Sequence, residues 1–287
     1  MSIDALGEII AYLNQREFAG TADPLHPLYA RGDYVNARYA NVDLVSRLQP
    51  MVRLDDDTVI AHEAFLQAQT PAGVVAIGRA LAPENLFALP RERGGIIHLD
   101  RLARTLHALN FLLQDASGDL HLNVHPQHLL AVSGDHGRVF EAILRQCGLA
   151  PERIVLEVQE HTIRDRAKLA RAIADWQSRG YRIAIDNFGR GHLQIERALR
   201  LRPDLIKLDA ELLHQCAQSN QRAHVIRFIA ESARAANIDL IATGIETPQQ
   251  RLLAAQVGAR RGQGYLFGRP AADCLRNEQD DSLVTLA

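Results

Sequence analysis

Apolar residues fall along this chain in two alternating rhythms. Short runs rich in aliphatic and β-branched residues read as strands: LQPMVRL (48–54), TVIAHEAFLQA (58–68), LHLNVHP (120–126), RIVLEVQE (153–160), YRIAIDNF (181–188), DLIKLD (204–209), IDLIATGIE (238–246) and GYLFG (264–268). Between them, segments such as HLDRLARTLHALNFLLQD, GRVFEAILRQCG, DRAKLARAIADWQSRG and RAHVIRFIAESARAAN repeat their apolar positions at helical spacing, several closed by glycine. Strand and helix in alternation mean crossover units around a mostly parallel sheet, and this many units predict closure into an α/β fold of the (β/α)8 type. The first two runs are the exception. Only about four residues, centred on Asp55, Asp56 and Asp57, separate them, which predicts an antiparallel first strand pair.

Residues 1–44 lie outside this rhythm. They open with an apolar face at Leu6, Ile9, Ile10 and Leu13 and are then broken by Pro24, Pro27, Gly32 and Asn36, so they read as an N-terminal helical extension packed on a barrel of residues 45–275. Residues 276–287 form a polar C-terminal tail expected to fray.

Composition narrows the function classes. In 287 residues, 32 basic side chains stand against 34 acidic ones without a block of either sign, which argues against a nucleic-acid polymer or a membrane surface as partner. No run approaches the ~20 apolar residues of a membrane span, and the N-terminus lacks the layout of a signal peptide. Three scattered cysteines fit neither a disulfide framework nor a zinc site, so the expected setting is cytoplasmic. Lysine occurs only at Lys168 and Lys207, all other basic residues being arginine, and a position that keeps lysine needs a reason.

Barrel proteins carry their reactive groups at the C-terminal ends of the strands. Here those ends hold Glu63, Asn123, Glu157, Asp186 with Asn187, Lys207 with Asp209, Thr243 with Glu246, and Gln263 entering the last run. Any one of the carboxylates suits a helix N-cap or an ion pair. Together at one barrel mouth they repel one another unless a cation lies between them, and such hard oxygen donors suit Mg2+ or Mn2+.

The series HEAF at Glu63, NVHP at Asn123, LEVQE at Glu157, IDNFGRG at Asp186, PDLIKLD at Lys207, TGIE at Glu246 and QGYLFGRP at Gln263 resembles the EAL family of cyclic di-GMP phosphodiesterases, in order and with compatible spacing from about Leu48 to Pro270. The resemblance implies a barrel that hydrolyses one phosphodiester bond of cyclic di-GMP to give linear pGpG, using two metal ions. It implies Glu63, Asn123, Glu157 and Asp186 as ligands of the first metal, and Lys207, Glu246 and Gln263 as catalytic residues. Lys207 would hold the attacking water or the phosphate, and Glu160 would brace the loop after the IDNF segment. Gln67, Arg190 and Asp209 would contact the dinucleotide.

Three departures bear on activity. Asn187 stands where the family has the second of two paired acids, and Thr243 stands where it has a glutamate, so two carboxylates of the second metal site are missing. Gln67 replaces an arginine that contacts phosphate. Arg190 is either a substitute charge or a solvated loop residue. His121 and His125 share the inward parity of Asn123, and His125 is either a further cation ligand or polar surface; His62 faces the other way, towards a helix. The readings that follow are a degenerate domain acting through a protein partner, with a homodimer possible, a non-hydrolysing cyclic di-GMP receptor, or an active metal-dependent phosphodiesterase.

Overall fold

A computed structural model describes residues 3–18, 27–40, 42–69, 86–90, 92–131, 138–189, 195–218 and 220–277. In chain order the elements are α1 (Ile3–Arg16), β1 (Leu28–Arg31), β2 (Tyr34–Tyr39), β3 (Val42–Arg53), β4 (Val59–Gln69), α2 (Arg93–Leu113), β5 (Asp119–Asn123), α3 (Pro126–Ala131), α4 (Arg138–Cys147) and β6 (Ile154–Val158). There follow α5 (Arg166–Ser178), β7 (Arg182–Phe188), α6 (Ile195–Arg200), β8 (Leu205–Leu208), α7 (Ala210–Gln218), α8 (Asn220–Ala235), β9 (Asp239–Ala242), α9 (Pro248–Gln256) and β10 (Arg261–Gln263).

The strands form one sheet in the order β1-β2-β3-β10-β9-β8-β7-β6-β5-β4, closed by pairing of β3 with β4. Strands β3 to β10 are thus the barrel. β4 to β10 run parallel, and β3 is antiparallel to both its barrel neighbours. The expected antiparallel first pair is this β3–β4 hairpin. Its turn is held by the Asp56 carboxylate, which accepts from the Thr58 N–H at 3.0 Å and from Arg53 Nη2 at 2.6 Å.

The period of two along each strand decides what fills the barrel. Met51, Ala61, Val155, Ala184, Leu205 and Ile241, one from each of six strands, pack together as an apolar plug. A barrel so filled is a solid core and not a pore, and the plug is the floor of whatever lies above it. Two larger apolar clusters lie between the sheet and its helices, one including Trp176, Phe111 and Leu106, the other Ile226, Ile229 and Leu240. Cys147 and Cys274 are buried free thiols. None of the described helices is long and apolar enough to cross a membrane.

The N-terminal helix is present as α1, with Leu6, Ile10 and Leu13 buried as their spacing predicts. Beyond it lies a hairpin that the hydrophobic pattern did not single out: β1 pairs with β2, and β2 with the first residues of β3. Two buried asparagines fasten this region. Asn14 exchanges hydrogen bonds with the backbone of Leu28 at 2.8 and 3.0 Å, and Asn110 on α2 does the same with Val35 at 3.1 and 2.8 Å.

The last strand needs correction. It is Arg261–Gln263, and the GYLFG segment expected to be the strand is a turn, with the N–H groups of Phe267 and Gly268 both donating to the Gly264 carbonyl. Gly264 permits this because the backbone of residue 245 lies against it: a Cβ there would stand 2.0 Å from the Ile245 carbonyl oxygen. Gly264→Ala should therefore cost at least about 2–3 kcal/mol through forced backbone displacement. Urea denaturation would show it, and an unchanged midpoint would mean that the turn re-forms around the methyl group.

Candidate active site

One strand period above the plug, the inward side chains change character. Ala61 is followed by Glu63, His121 by Asn123, Val155 by Glu157, Ala184 by Asp186, Leu205 by Lys207 and Ile241 by Thr243; on the reversed strand β3, Met51 is preceded by Gln49. β10 adds Gln263. The same pleat that fills the floor thus raises a ring of carboxylates and amides at the C-terminal mouth, where they line a cavity of about 830 Å3.

Lys207 is the hub of that ring. Its Nζ donates to Glu63 Oε2 at 2.6 Å and to Glu157 Oε1 and Oε2 at 2.8 and 2.7 Å, with Asp186 Oδ1 at 3.8 Å. Gln263 Nε2 donates to Glu63 Oε2 at 2.8 Å and to Gln49 Oε1 at 3.1 Å, and Asn123 Nδ2 donates to Glu63 Oε1 at 2.9 Å. His121 Nδ1 lies 2.8 Å from Glu157 Oε1. The compact ammonium reaches three carboxylates on three strands, which a planar guanidinium could not do from the same position.

The charges do not balance. Three carboxylates around one ammonium leave two negative charges uncompensated, and the proton affinities register this. Burial, then the neighbouring Glu63 charge, push the Glu157 carboxyl well above its usual range, and burial against the attraction of Lys207 leaves Asp186 raised as well. Glu63 shifts downward: burial alone would raise it, but the Lys207 charge and the hydrogen bonds from Lys207, Gln263 and Asn123 outweigh that. Burial likewise disfavours the Lys207 charge, and Glu157, Glu63 and Asp186 more than reverse it. Among the described residues no three His, Cys, Asp or Glu side chains are already gathered as a metal cage. The donor types and the surplus of two negative charges nevertheless fit one hard divalent cation.

The two substituted positions are tied into the frame. Asn187 has φ +52°, a conformation asparagine tolerates better than most residues, and its Nδ2 donates to Asp186 Oδ2 at 2.9 Å. Gln159 Nε2 reaches the same oxygen at 3.3 Å. The Thr243 hydroxyl donates to the Leu208 carbonyl at 2.6 Å.

Of the other expected site residues, Glu246 is exposed at the cavity rim. Gln67 and Asp209 do not line the cavity: Gln67 accepts from Arg47 Nε at 2.7 Å, and Asp209 accepts from the Glu211 N–H at 2.9 Å at the start of α7. Arg190 lies outside the described residues. Glu160 is buried and pairs with Arg197 on α6. The His125 ring stacks on Phe87 at 4.8 Å between centroids, and His62 packs beside Phe111 of α2. The sequence reading did not single out Gln49, whose inward parity with Met51 was its only signal, nor Asp100, Arg104 and His107 of α2, which also line the cavity.

A closed (β/α)8 barrel with one reversed strand and a lysine-centred ring of carboxylates at its mouth defines a barrel protein built around a cation-seeking cleft. The EAL domain family matches residues 34–270, and the chain belongs to that family. It is 33% identical over 135 residues to the probable cyclic di-GMP phosphodiesterase PdeA of Escherichia coli, an alignment covering 47% of this chain and 18% of PdeA. The chain spans less than half the length of the first curated relatives it matches. Among solved structures, the Bacillus subtilis YkuI protein in complex with substrate cyclic di-GMP and calcium superposes with a TM-score of 0.69 at 25% identity, over 84% of this chain and 60% of that one. Klebsiella pneumoniae BlrP1 with manganese and cyclic di-GMP gives 0.68 at 26% identity, over 79% and 56%.

Proposed function

We propose that this chain is a cyclic di-GMP-binding signalling domain in which hydrolysis is impaired. The observation that carries this is the state of residues 187 and 243. The Asn187 amide engages Asp186 where the family presents a second carboxylate, and the Thr243 hydroxyl is spent on the Leu208 carbonyl where the family presents a glutamate. Neither brings the negative charge that a carboxylate would offer a second cation.

The remaining groups support binding. Glu63, Asn123, Glu157 and Asp186 would hold one Mg2+ or Mn2+, which when bound would supply positive charge to a phosphate oxygen. Lys207 adds a fixed charge beside that position, Gln263 and Asn123 orient Glu63, and Glu246 lines the rim. The cavity's volume lies within the range of ligand pockets.

A second reading, action through a protein partner without nucleotide, draws support from Gln67, which replaces a phosphate-binding arginine and is held by Arg47 away from the cavity. Calorimetry with cyclic di-GMP and Ca2+ separates the two. Micromolar binding, with no pGpG formed when Mn2+ replaces Ca2+, is the expected result; calorimetric silence would favour protein contact alone. Turnover to pGpG that Glu63→Ala abolishes would overturn the impaired reading. The double change Asn187→Asp with Thr243→Glu should raise hydrolysis by at least tenfold, since it returns both missing carboxylates.

A further inference from the structure

The cavity extends past the barrel mouth onto α2, where Asp100, Arg104 and His107 line it at successive turns of one helix face. All three are buried, with 2%, 2% and 4% of their surfaces exposed. Asp100 is fully engaged. Its Oδ2 receives Arg104 Nε at 3.1 Å, Arg104 Nη2 at 2.8 Å and His128 Nδ1 at 3.1 Å, while Oδ1 accepts from the His125 N–H at 2.9 Å. Arg104 is thereby fixed in orientation, with its guanidinium 4.6 Å from the Phe140 ring centroid and its Nη2 also 3.4 Å from His128 Nε2, so that Nη1 is the nitrogen with no hydrogen-bond partner among the described residues. His107 repeats this arrangement: Ser46 Oγ lies 2.7 Å from Nδ1, and Nε2 has no partner among the described residues. Burial pushes His107 down to about 3, so the ring is neutral at ordinary pH. The Phe87–His125 stack, with its rings inclined by 18°, forms a flat wall of the same lobe, and His125 lies two residues beyond Asn123.

Two buried polar side chains, each braced on one edge and unpaired on the other, face a cavity with an aromatic wall. A polar atom left free beside a cavity is available to pair with a ligand there. We infer that Arg104 is a specificity-determining residue that reads a guanine base: its free Nη1 donates into the acceptor edge formed by O6 and N7 of a guanine laid against the Phe87–His125 wall, with His107 Nε2 as a second polar contact. A guanidinium only donates, so it matches the guanine edge, whereas adenine presents the N6 amino donor at the corresponding place. The inference rests on the receptor reading given above and adds to it the residue that selects the base.

The test is calorimetry on the full chain with Ca2+, using cyclic di-GMP and cyclic di-AMP. The wild-type protein should prefer the guanine ligand by roughly ten- to hundred-fold, the discrimination one good base contact provides. Arg104→Lys keeps a charge for Asp100 but loses the Nη1 donor, and should bring the preference to within about threefold. Phe87→Ala should weaken both ligands by similar factors. Ligand analogues on the wild-type protein give a reading that does not depend on a variant folding. The inosine analogue, which keeps O6 and N7, should bind like the guanine ligand, and the 7-deazaguanine analogue should bind about tenfold more weakly. Loss of the inosine analogue with retention of the 7-deaza analogue would overturn the inference, as would an Arg104→Lys variant that melts like the wild type and keeps its preference. Either result leaves the receptor reading standing, whereas absence of binding by every cyclic dinucleotide would overturn both.

Discussion

Lys207→Met lowers the stability of the barrel by about 3–5 kcal/mol, the cost of stranding a buried charge cluster without its counter-charge. Methionine fills the volume of the lysine stem, so the loss is electrostatic and not a cavity effect. Glu63, Glu157 and Asp186 would be left facing one another above an apolar plug, with hydrogen bonds from amides but no cation. The pH dependence carries the signature. Without the ammonium, the folded-state proton affinity of Glu157, already above its unfolded value, rises further. The folded chain then binds more protons than the unfolded one, so the deficit relative to wild type is greatest at high pH and shrinks as pH falls towards the unfolded carboxylate range. Urea denaturation of both proteins at pH 8 and pH 5.5 measures this. A variant equal to wild type at both would mean that water already reaches the cluster and that Lys207 is not its counter-charge.

Acidification should be the second large perturbation, and histidines give it its size. Burial pushes His62 down to about 4 and His107 down to about 3. An unfolded histidine takes its proton near pH 6.5. Between about pH 6.5 and 4 the unfolded chain therefore binds more protons than the folded one, and the contribution of each neutral imidazole to stability is present above 6.5 and lost as pH falls. From pH 7 to pH 5 the loss is about 2 kcal/mol per group, hence about 4 kcal/mol for the two. The raised carboxyl of Glu157 works in the opposite sense, because it makes the folded chain take up protons. The informative quantity is consequently a difference: His62→Leu should lose about 2 kcal/mol less than wild type on going from pH 7 to pH 5, by denaturant titration. Equal losses would mean that His62 is protonated within the fold.

What the sequence made legible follows from strand parity. Asn123, Glu157, Asp186 and Lys207 are recognisable at or near the end of a short apolar run, and Glu63 within one, and a period of two places each on the face that the residue two positions before it buries. Other features had no such signal. GYLFG has the composition of a strand, and only the backbone of residue 245 pressing on Gly264 shows why it must turn. Arg104 and His107 fall among the polar positions of a helical pattern, and periodicity cannot tell a face turned to water from one turned to a cavity. Asp209 stands out by its place at a strand end and Gln67 by the arginine it replaces in the family resemblance, yet a helix start claims the first and Arg47 the second. Asn187 was legible as a missing charge, but its new amide donor to Asp186 was not.

The long strand β3 has a consequence for how this domain can be moved between proteins. Its first residues pair with β2 and its last with β10, while β4 accompanies nearly its whole length. A cut between residues 44 and 45 would fall inside it, stripping hydrogen bonds from the edge of the strand that closes the barrel and carries Gln49. The portable unit for swapping, grafting or recombination is therefore the barrel together with its hairpin, and chimaeras joined ahead of β1 should fold where those joined within β3 do not.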